Sequence, residues 1–102
     1  EKPNAIAAAV ARSRAVFPKL KVEVECDTLA QVREAADAGA EFILLDNMTP
    51  AQLREAVGIV AGRALTEASG GVTLETVRTV AETGVDRISV GAITHSARAV
   101  DI

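Results

Sequence analysis

The sequence predicts an α/β protein built from parallel βα repeats: four strands, about half of a TIM-like, incomplete α/β barrel. Three observations carry this. Short runs rich in Val, Ile and Leu alternate with longer, Ala-rich segments of helical period. The order is α-β-α-β-α-β-α-β, with strands recurring at the spacing of one β/α unit, which implies a parallel sheet with right-handed crossovers. The strands also alternate apolar and polar residues. A doubly wound sheet covered by helices on both faces gives continuous apolar runs, whereas a polar second face suits the lumen of a barrel.

Each element has its own local signals. Ala5 to Val16 is an Ala-rich helix that Pro18 ends. Lys21 to Cys26 is the first strand. Thr28 and Gln31 stand at capping-box spacing and open a helix that runs to Ala38, with Gly39 as its C′ residue. Phe42 to Asp46 is the second strand. Thr49-Pro50-Ala51-Gln52 gives an N-cap, a proline in the first helical position and a capping glutamine, and this helix ends near Gly62. Ala64 to Ala68 is the third strand, Thr73 to Thr83 the next helix, closed by Gly84, and Asp86 to Val90 the fourth strand. A last short helix is expected to begin around Thr94. Two units resemble each other: Gly39-Ala40-Glu41-Phe42-Ile43-Leu44-Leu45-Asp46 and Gly84-Val85-Asp86-Arg87-Ile88-Ser89-Val90-Gly91.

Side chains alternate faces along a strand. Val22, Val24, Ile43, Leu45, Ile88 and Val90 fall on one parity and should pack under the helices. Glu23, Glu25, Asp46, Glu67, Ser69, Arg87 and Ser89 fall on the other. Arg87 is the natural partner for Glu23 and Glu67 within that face, because a buried carboxylate without one would be costly.

Composition narrows the function classes. At 102 residues the chain is one domain at most, and its net charge of −3 gives no basic surface for nucleic acid or an anionic membrane. One cysteine, Cys26, excludes an internal disulfide and fits a reducing, cytoplasmic setting. Its parity makes it a buried thiol rather than a nucleophile. No run approaches the ~20 apolar residues of a membrane span, and no signal sequence stands at the start. The single His and single Cys give no zinc-site spacing.

Polar residues and glycines gather where the strands end, the edge at which βα barrels bind ligands. Glu25 and Asp46 each read as the last residue of their strand. They could accept hydrogen bonds from a ribose diol, hold Mg2+ through water, or act as acid and base; equally, they could pair with Lys or Arg, or cap the next helix. Ser69-Gly70-Gly71-Val72-Thr73 forms a turn whose N–H groups, with a helix N-terminus behind, make an anion site. Gly91-Ala92 makes a second turn one unit later, and barrels often grip a phosphate between two late βα turns. Glycines also simply permit tight turns. His95 reads either as a phosphate contact beside these turns or as a capping, surface residue.

Val22-Glu23-Val24-Glu25, Leu44-Leu45-Asp46-Asn47, Glu67-Ala68-Ser69-Gly70-Gly71-Val72-Thr73, Glu82-Thr83-Gly84-Val85-Asp86 and Ile88-Ser89-Val90-Gly91-Ala92-Ile93-Thr94-His95-Ser96 together resemble quinolinate phosphoribosyltransferase, also called carboxylating nicotinate-nucleotide pyrophosphorylase. The resemblance runs from about Ile6 to Ile102 and implies that residues 1–102 are the C-terminal portion of that family's barrel domain. It implies transfer of a phosphoribosyl group from phosphoribosyl pyrophosphate to quinolinate with Mg2+ present. Pyrophosphate and CO2 leave, and the nicotinate mononucleotide formed feeds NAD synthesis. By resemblance, Glu25 and Asp46 are the catalytic acids on the ribose hydroxyls and the Mg-bound substrate, with Asp46 on the metal side. Asn47 adjoins them, Ser69, Gly70, Gly71 and Gly91 hold the 5-phosphate, and His95 lies next to it. No organic cofactor is implied.

The family grips quinolinate with arginines, a histidine and lysines from a separate N-terminal domain and earlier barrel strands, sequence that these residues do not contain. Lys2-Pro3-Asn4-Ala5 faintly echoes an upstream family motif but lacks its His, so Glu1 to Asn4 are read as unmatched. The family builds its site across a dimer, which implies a homo-oligomer. The chain alone is then expected to be inactive and to supply only the phosphoribosyl side of the site. The alternative reading is a non-catalytic half-barrel, isolated or engineered, that folds or self-associates through its open edges.

Overall fold

A computed structural model describes residues 5–91 and 97–101. Four helices and five strands succeed one another as α1 (Ala5–Val16), β1 (Glu23–Cys26), α2 (Leu29–Asp37), β2 (Phe42–Asp46), α3 (Pro50–Val60), β3 (Leu65–Ser69), α4 (Val77–Ala81), β4 (Arg87–Gly91) and β5 (Ala97–Asp101). The strands form one sheet in the order β1-β2-β3-β4-β5. β1 to β4 run parallel, and β5 returns antiparallel beside β4. Strand order follows chain order with no switch point, so the sheet is wound in one direction, as in a barrel, and not from its middle outward.

Local chemistry sets the helix starts as the sequence requires. Thr28 accepts from the N–H of Gln31, and Gln31 Oε1 accepts in return from the N–H of Thr28. Thr49 and Gln52 repeat the box, with Pro50 in the first turn of α3. Each box satisfies N–H groups that the first turn leaves unpaired. Val32, Ala35 and Ala36 of α2 and Leu53, Ala56 and Val60 of α3 are buried at helical spacing. They meet Cys26, Ile43, Leu45, Ala68, Ile88 and Val90 from the sheet in one core. Each fully buried Leu or Ile there contributes about 1.5–3 kcal/mol. Truncating Leu53, which is 1% exposed, should cost about 2–5 kcal/mol.

Strand parity holds. Ile43, Leu45, Ile88 and Val90 are buried beneath the helices, whereas Glu23, Glu25 and Asp46 are exposed on the other face and Glu67, Ser69, Arg87 and Ser89 are partly covered. The expected pair forms: Arg87 Nε lies 3.9 Å from Glu67 Oε1, but both side chains stay partly open, at 40% and 26%. Glu23 remains exposed on the outer strand. Cys26 is fully buried, as its parity requires.

Several boundaries differ from those expected. β1 starts at Glu23 rather than Lys21, and β3 spans Leu65–Ser69 rather than 64–68. The long helix expected over 73–83 shrinks to Val77–Ala81. Its first residues are held otherwise: Thr76 Oγ1 accepts from the N–H of Thr73 at 3.0 Å, and the N–H of Thr76 donates to the Thr73 carbonyl. Threonine hydroxyls here compete for the backbone groups a helix would use. The short terminal helix expected from Thr94 gives way to a strand. Thr94 itself lies outside the described residues, but 97–101 form β5, with Gly91 opposite Ala97 and Arg87 opposite Asp101. The β-branched Val100 and the cross-strand partners offered by β4 favour a strand there.

Candidate functional site

The C-terminal ends of β2 and β3 bring five of the expected residues together. The β2–β3 ladder closes with Asp46 opposite Ser69. The N–H of Asn47 adds one more bond, to the Ser69 carbonyl at 2.8 Å. Ser69 Oγ lies 3.5 Å from Asp46 Oδ1, the outer limit of a hydrogen bond. Asn47 has φ of 57°, and Gly70 and Gly71 have φ of 79° and 74°, so three left-handed residues face one another across two adjoining turns. Asparagine tolerates that region and glycine has no Cβ to clash in it.

Among the described residues, the Asp46 carboxylate has one long contact, from Ser69. Capping of α3 falls to Thr49, whose hydroxyl accepts from the N–H of Gln52. The carboxylate is left exposed at the strand end with the weak Ser69 contact, able to accept hydrogen bonds from a ligand diol or to hold a hydrated cation.

Glu25 sits differently from its reading as the last residue of a strand. Cys26 ends β1, and Glu25 stands level with Leu44, which stands level with Glu67. It therefore lies one side-chain layer deeper than Asp46, on the same polar face and one strand away. Register between strands is a tertiary property, so two similar strand endings need not be level. Glu25 is exposed at the groove that runs between β1 and Ile6, Ala9, Val10 and Ser13 of α1.

The helix support expected for the Gly-Gly turn is weaker than the sequence suggested. α4 begins at Val77 and is five residues long, so no helix N-terminus stands directly behind Gly70 and Gly71. Those residues offer an anion turn N–H groups alone. Gly91 is the final residue of β4, and Ala92, Thr94, His95 and Ser96 lie outside the described residues. Among the described residues no group of three or more His, Cys, Asp or Glu is placed to hold a metal ion. Mg2+ suits such a site only as a hydrated ion arriving with substrate phosphates, bound through one or two carboxylates. Exposed Asp46 fits that role, and a closed protein cage does not.

The opposite, N-terminal edge of the sheet carries acids of another kind. Glu41 accepts from the N–H of Val22 at 2.7 Å and from Arg14 at 2.9 Å. Those hydrogen bonds, that from Val22 foremost, hold its carboxyl below the usual range. Asp86 accepts from the N–H of Thr66 at 2.8 Å and from its hydroxyl at 3.2 Å. These two acids occupy equivalent places in the repeated Gly-x-acid units, and that repetition was the signal that could have marked them as structural.

Comparison with known proteins bears on the same region. The family described as "Quinolinate phosphoribosyl transferase, C-terminal domain" matches residues 3–102, reaching further upstream than Ile6 and into the stretch read as unmatched. The nicotinate-nucleotide pyrophosphorylase [carboxylating] of Rattus norvegicus is 43% identical over 89% of this chain and 31% of its own length. A mitochondrial quinolinate phosphoribosyltransferase [decarboxylating] of Nicotiana tabacum is 44% identical over 82% of this chain and 28% of its own. The crystal structure of nicotinate-nucleotide pyrophosphorylase from Ehrlichia chaffeensis superposes with a TM-score of 0.83 at 41% identity, over 94% of this chain and 35% of that one. The chain thus spans about a third of the length of these relatives. Order of strands, polar sheet face and near-complete match agree, and the chain belongs to the quinolinate phosphoribosyltransferase C-terminal domain family.

Proposed function

We propose that this chain supplies the phosphoribosyl side of a quinolinate phosphoribosyltransferase site and works as part of a longer, homo-oligomeric enzyme of NAD synthesis. The single observation that carries this is the meeting of an exposed acid, Asp46, held only by a long Ser69 contact among the described residues, with the Ser69-Gly70-Gly71 turn at the C-terminal edge of adjacent parallel strands. A ribose 5-phosphate needs that combination: acceptors for its hydroxyls and N–H donors for its phosphate.

In this reading Glu25 and Asp46 accept hydrogen bonds from the ribose hydroxyls and fix the sugar ring. Asn47 adjoins them. The backbone around Ser69, Gly70, Gly71 and Gly91 holds the 5-phosphate, with His95 beside it. The quinolinate ring nitrogen forms the new bond to C1 while the C1–O bond to pyrophosphate breaks, its electron pair leaving with pyrophosphate. The C2–carboxylate bond then breaks, CO2 departs, and C2 takes up a proton. Asp46 would be the residue here to help hold a hydrated Mg2+, whose chemistry when bound would be to offset charge on the departing pyrophosphate. The contribution of these residues is to orient the sugar, and quinolinate is gripped by groups elsewhere in the enzyme. A cytoplasmic location is favoured by the single, buried Cys26, and no helix among the described residues is long and apolar enough to cross a membrane.

The test is steady-state formation of nicotinate mononucleotide by the full-length enzyme carrying this segment. Asp46→Ala should raise KM for phosphoribosyl pyrophosphate well above any change in KM for quinolinate. Equal increases would count against the assignment. The alternative, a non-catalytic half-barrel fragment, predicts a chain that folds or self-associates by itself, which light scattering of the isolated chain would show.

A further inference from the structure

We propose that Asn47 and Gly70 are positioning residues for the Asp46 carboxylate: Asn47 through its left-handed backbone rather than its amide, Gly70 through space that only a glycine leaves. The catalytic part of this rests on the phosphoribosyl reading above.

The chain leaving β2 must do two things at once. It must keep Asp46 in register with Ser69, and it must reach the Thr49 cap of α3 within three residues. Asn47 does both. Its N–H extends the ladder by one bond to Ser69, and its φ of 57° turns the chain out of the strand immediately afterwards. A residue confined to negative φ would continue the strand, or turn without that bond. Asp46 would then lose its fixed height at the edge.

Gly70 closes the arrangement from the other side. A Cβ at Gly70 would stand 2.6 Å from Asp46 Oδ1 and 3.0 Å from the Asn47 nitrogen. Any side chain there must push the carboxylate aside or break the Asn47–Ser69 bond. Gly71 supplies a built-in control. It shares the left-handed backbone, at φ +74°, but a Cβ there would meet only Asn47 Oδ1 at an ordinary 3.7 Å. Alanine at either glycine carries the same kind of backbone strain, and only Gly70→Ala adds the collision with Asp46.

Four variants of the full-length enzyme test this. Asn47→Gly keeps the left-handed backbone and deletes the amide, so it should raise KM for phosphoribosyl pyrophosphate less than Asn47→Val does. Asn47→Val, β-branched and barred from that region, should raise it about tenfold. Gly70→Ala should raise it by a similar factor and should lower Tm more than Gly71→Ala does, with KM for quinolinate unmoved in all four. Asn47→Gly as impaired as Asn47→Val would overturn the backbone role, and a Tm loss from Gly70→Ala no larger than that from Gly71→Ala would overturn the spatial one.

A second readout needs no substrate. The loss of Tm caused by Gly70→Ala should shrink when Asp46 is already alanine, and strictly additive losses would show that the two residues do not touch. Absence of turnover in the wild type would therefore sink the phosphoribosyl reading, while the Tm cycle would still decide the Asp46–Gly70 contact.

Discussion

The two edges of the sheet use the same residue types for opposite purposes. At the N-terminal edge, Glu41 and Asp86 each come after a helix-ending glycine and a buried apolar residue. Each accepts an N–H near the start of the neighbouring strand, at Val22 and Thr66. Their charge ties one βα unit to the last. At the C-terminal edge, Asp46 has, among the described residues, a single 3.5 Å contact with a serine hydroxyl, and Glu25 stays exposed. There the tying is done by backbone, through the Asn47–Ser69 bond, and capping is done by Thr49. Moving structural duties onto backbone and threonine is what leaves acids at that edge available to a ligand. An acid's position along its strand therefore says more about its role than its mere presence on the polar face.

The largest effect should come from exchanging the two kinds of acid. Asp46→Ala should cost roughly 10- to 100-fold in KM for phosphoribosyl pyrophosphate, the value of one or two charged hydrogen bonds. Because that carboxylate is exposed and barely bonded, its loss should change stability by no more than about 0.5 kcal/mol. Asp86→Ala should do the reverse. It leaves the N–H and hydroxyl of Thr66, a residue 3% exposed, without their acceptor. The expected destabilisation is about 1–3 kcal/mol, which in a chain this size shifts Tm by about 4–8 °C per kcal/mol. Kinetics and thermal melts on the two variants would break the contrast if Asp86→Ala lost phosphoribosyl pyrophosphate binding while keeping its Tm. A smaller structural effect belongs to the cap that frees Asp46: Thr49→Ala should destabilise by about 0.5–2 kcal/mol, read as a lower denaturation midpoint. If Asp46 took over the cap in that variant, KM for phosphoribosyl pyrophosphate would rise as well.

What was legible in the sequence was what is local. Both capping boxes, the ends of α1 and β2, and the alternation that buries Ile43 and Leu45 while exposing Glu23 and Glu25 all come from residues a few positions apart. Grouping Asp46 with Ser69-Gly70-Gly71 was also legible, because consecutive parallel strands place their C-terminal turns side by side. Three things were not. The height of Glu25 relative to Asp46 depends on the register between β1 and β2. The shortening of α4 depends on Thr73 and Thr76 choosing each other over the helix. And 97–101 become a strand because β4 presents an open edge to pair with. In each case a partner distant in sequence, or a side chain competing with the backbone, decided between conformations that local propensity left close.

The gentlest probe of the contrast is pH, because the fold favours the ionised form of Glu41. The N–H of Val22, and after it Arg14, hold its carboxyl below its ordinary value near 4.5. A carboxyl depressed in the folded state binds its proton more readily when unfolded. Its contribution is therefore fully present above that ordinary value and is lost as pH falls through the lower, folded one. The acid limb of the stability curve should accordingly begin to fall below about pH 4.5. Glu41→Gln keeps an oxygen to accept from Val22 but removes the charge, so it should flatten that limb while lowering stability slightly at neutral pH. Urea midpoints measured between about pH 3 and 7 would show this directly. A limb that Glu41→Gln left unchanged would mean that the Val22 and Arg14 hydrogen bonds to this carboxylate do not contribute to the fold.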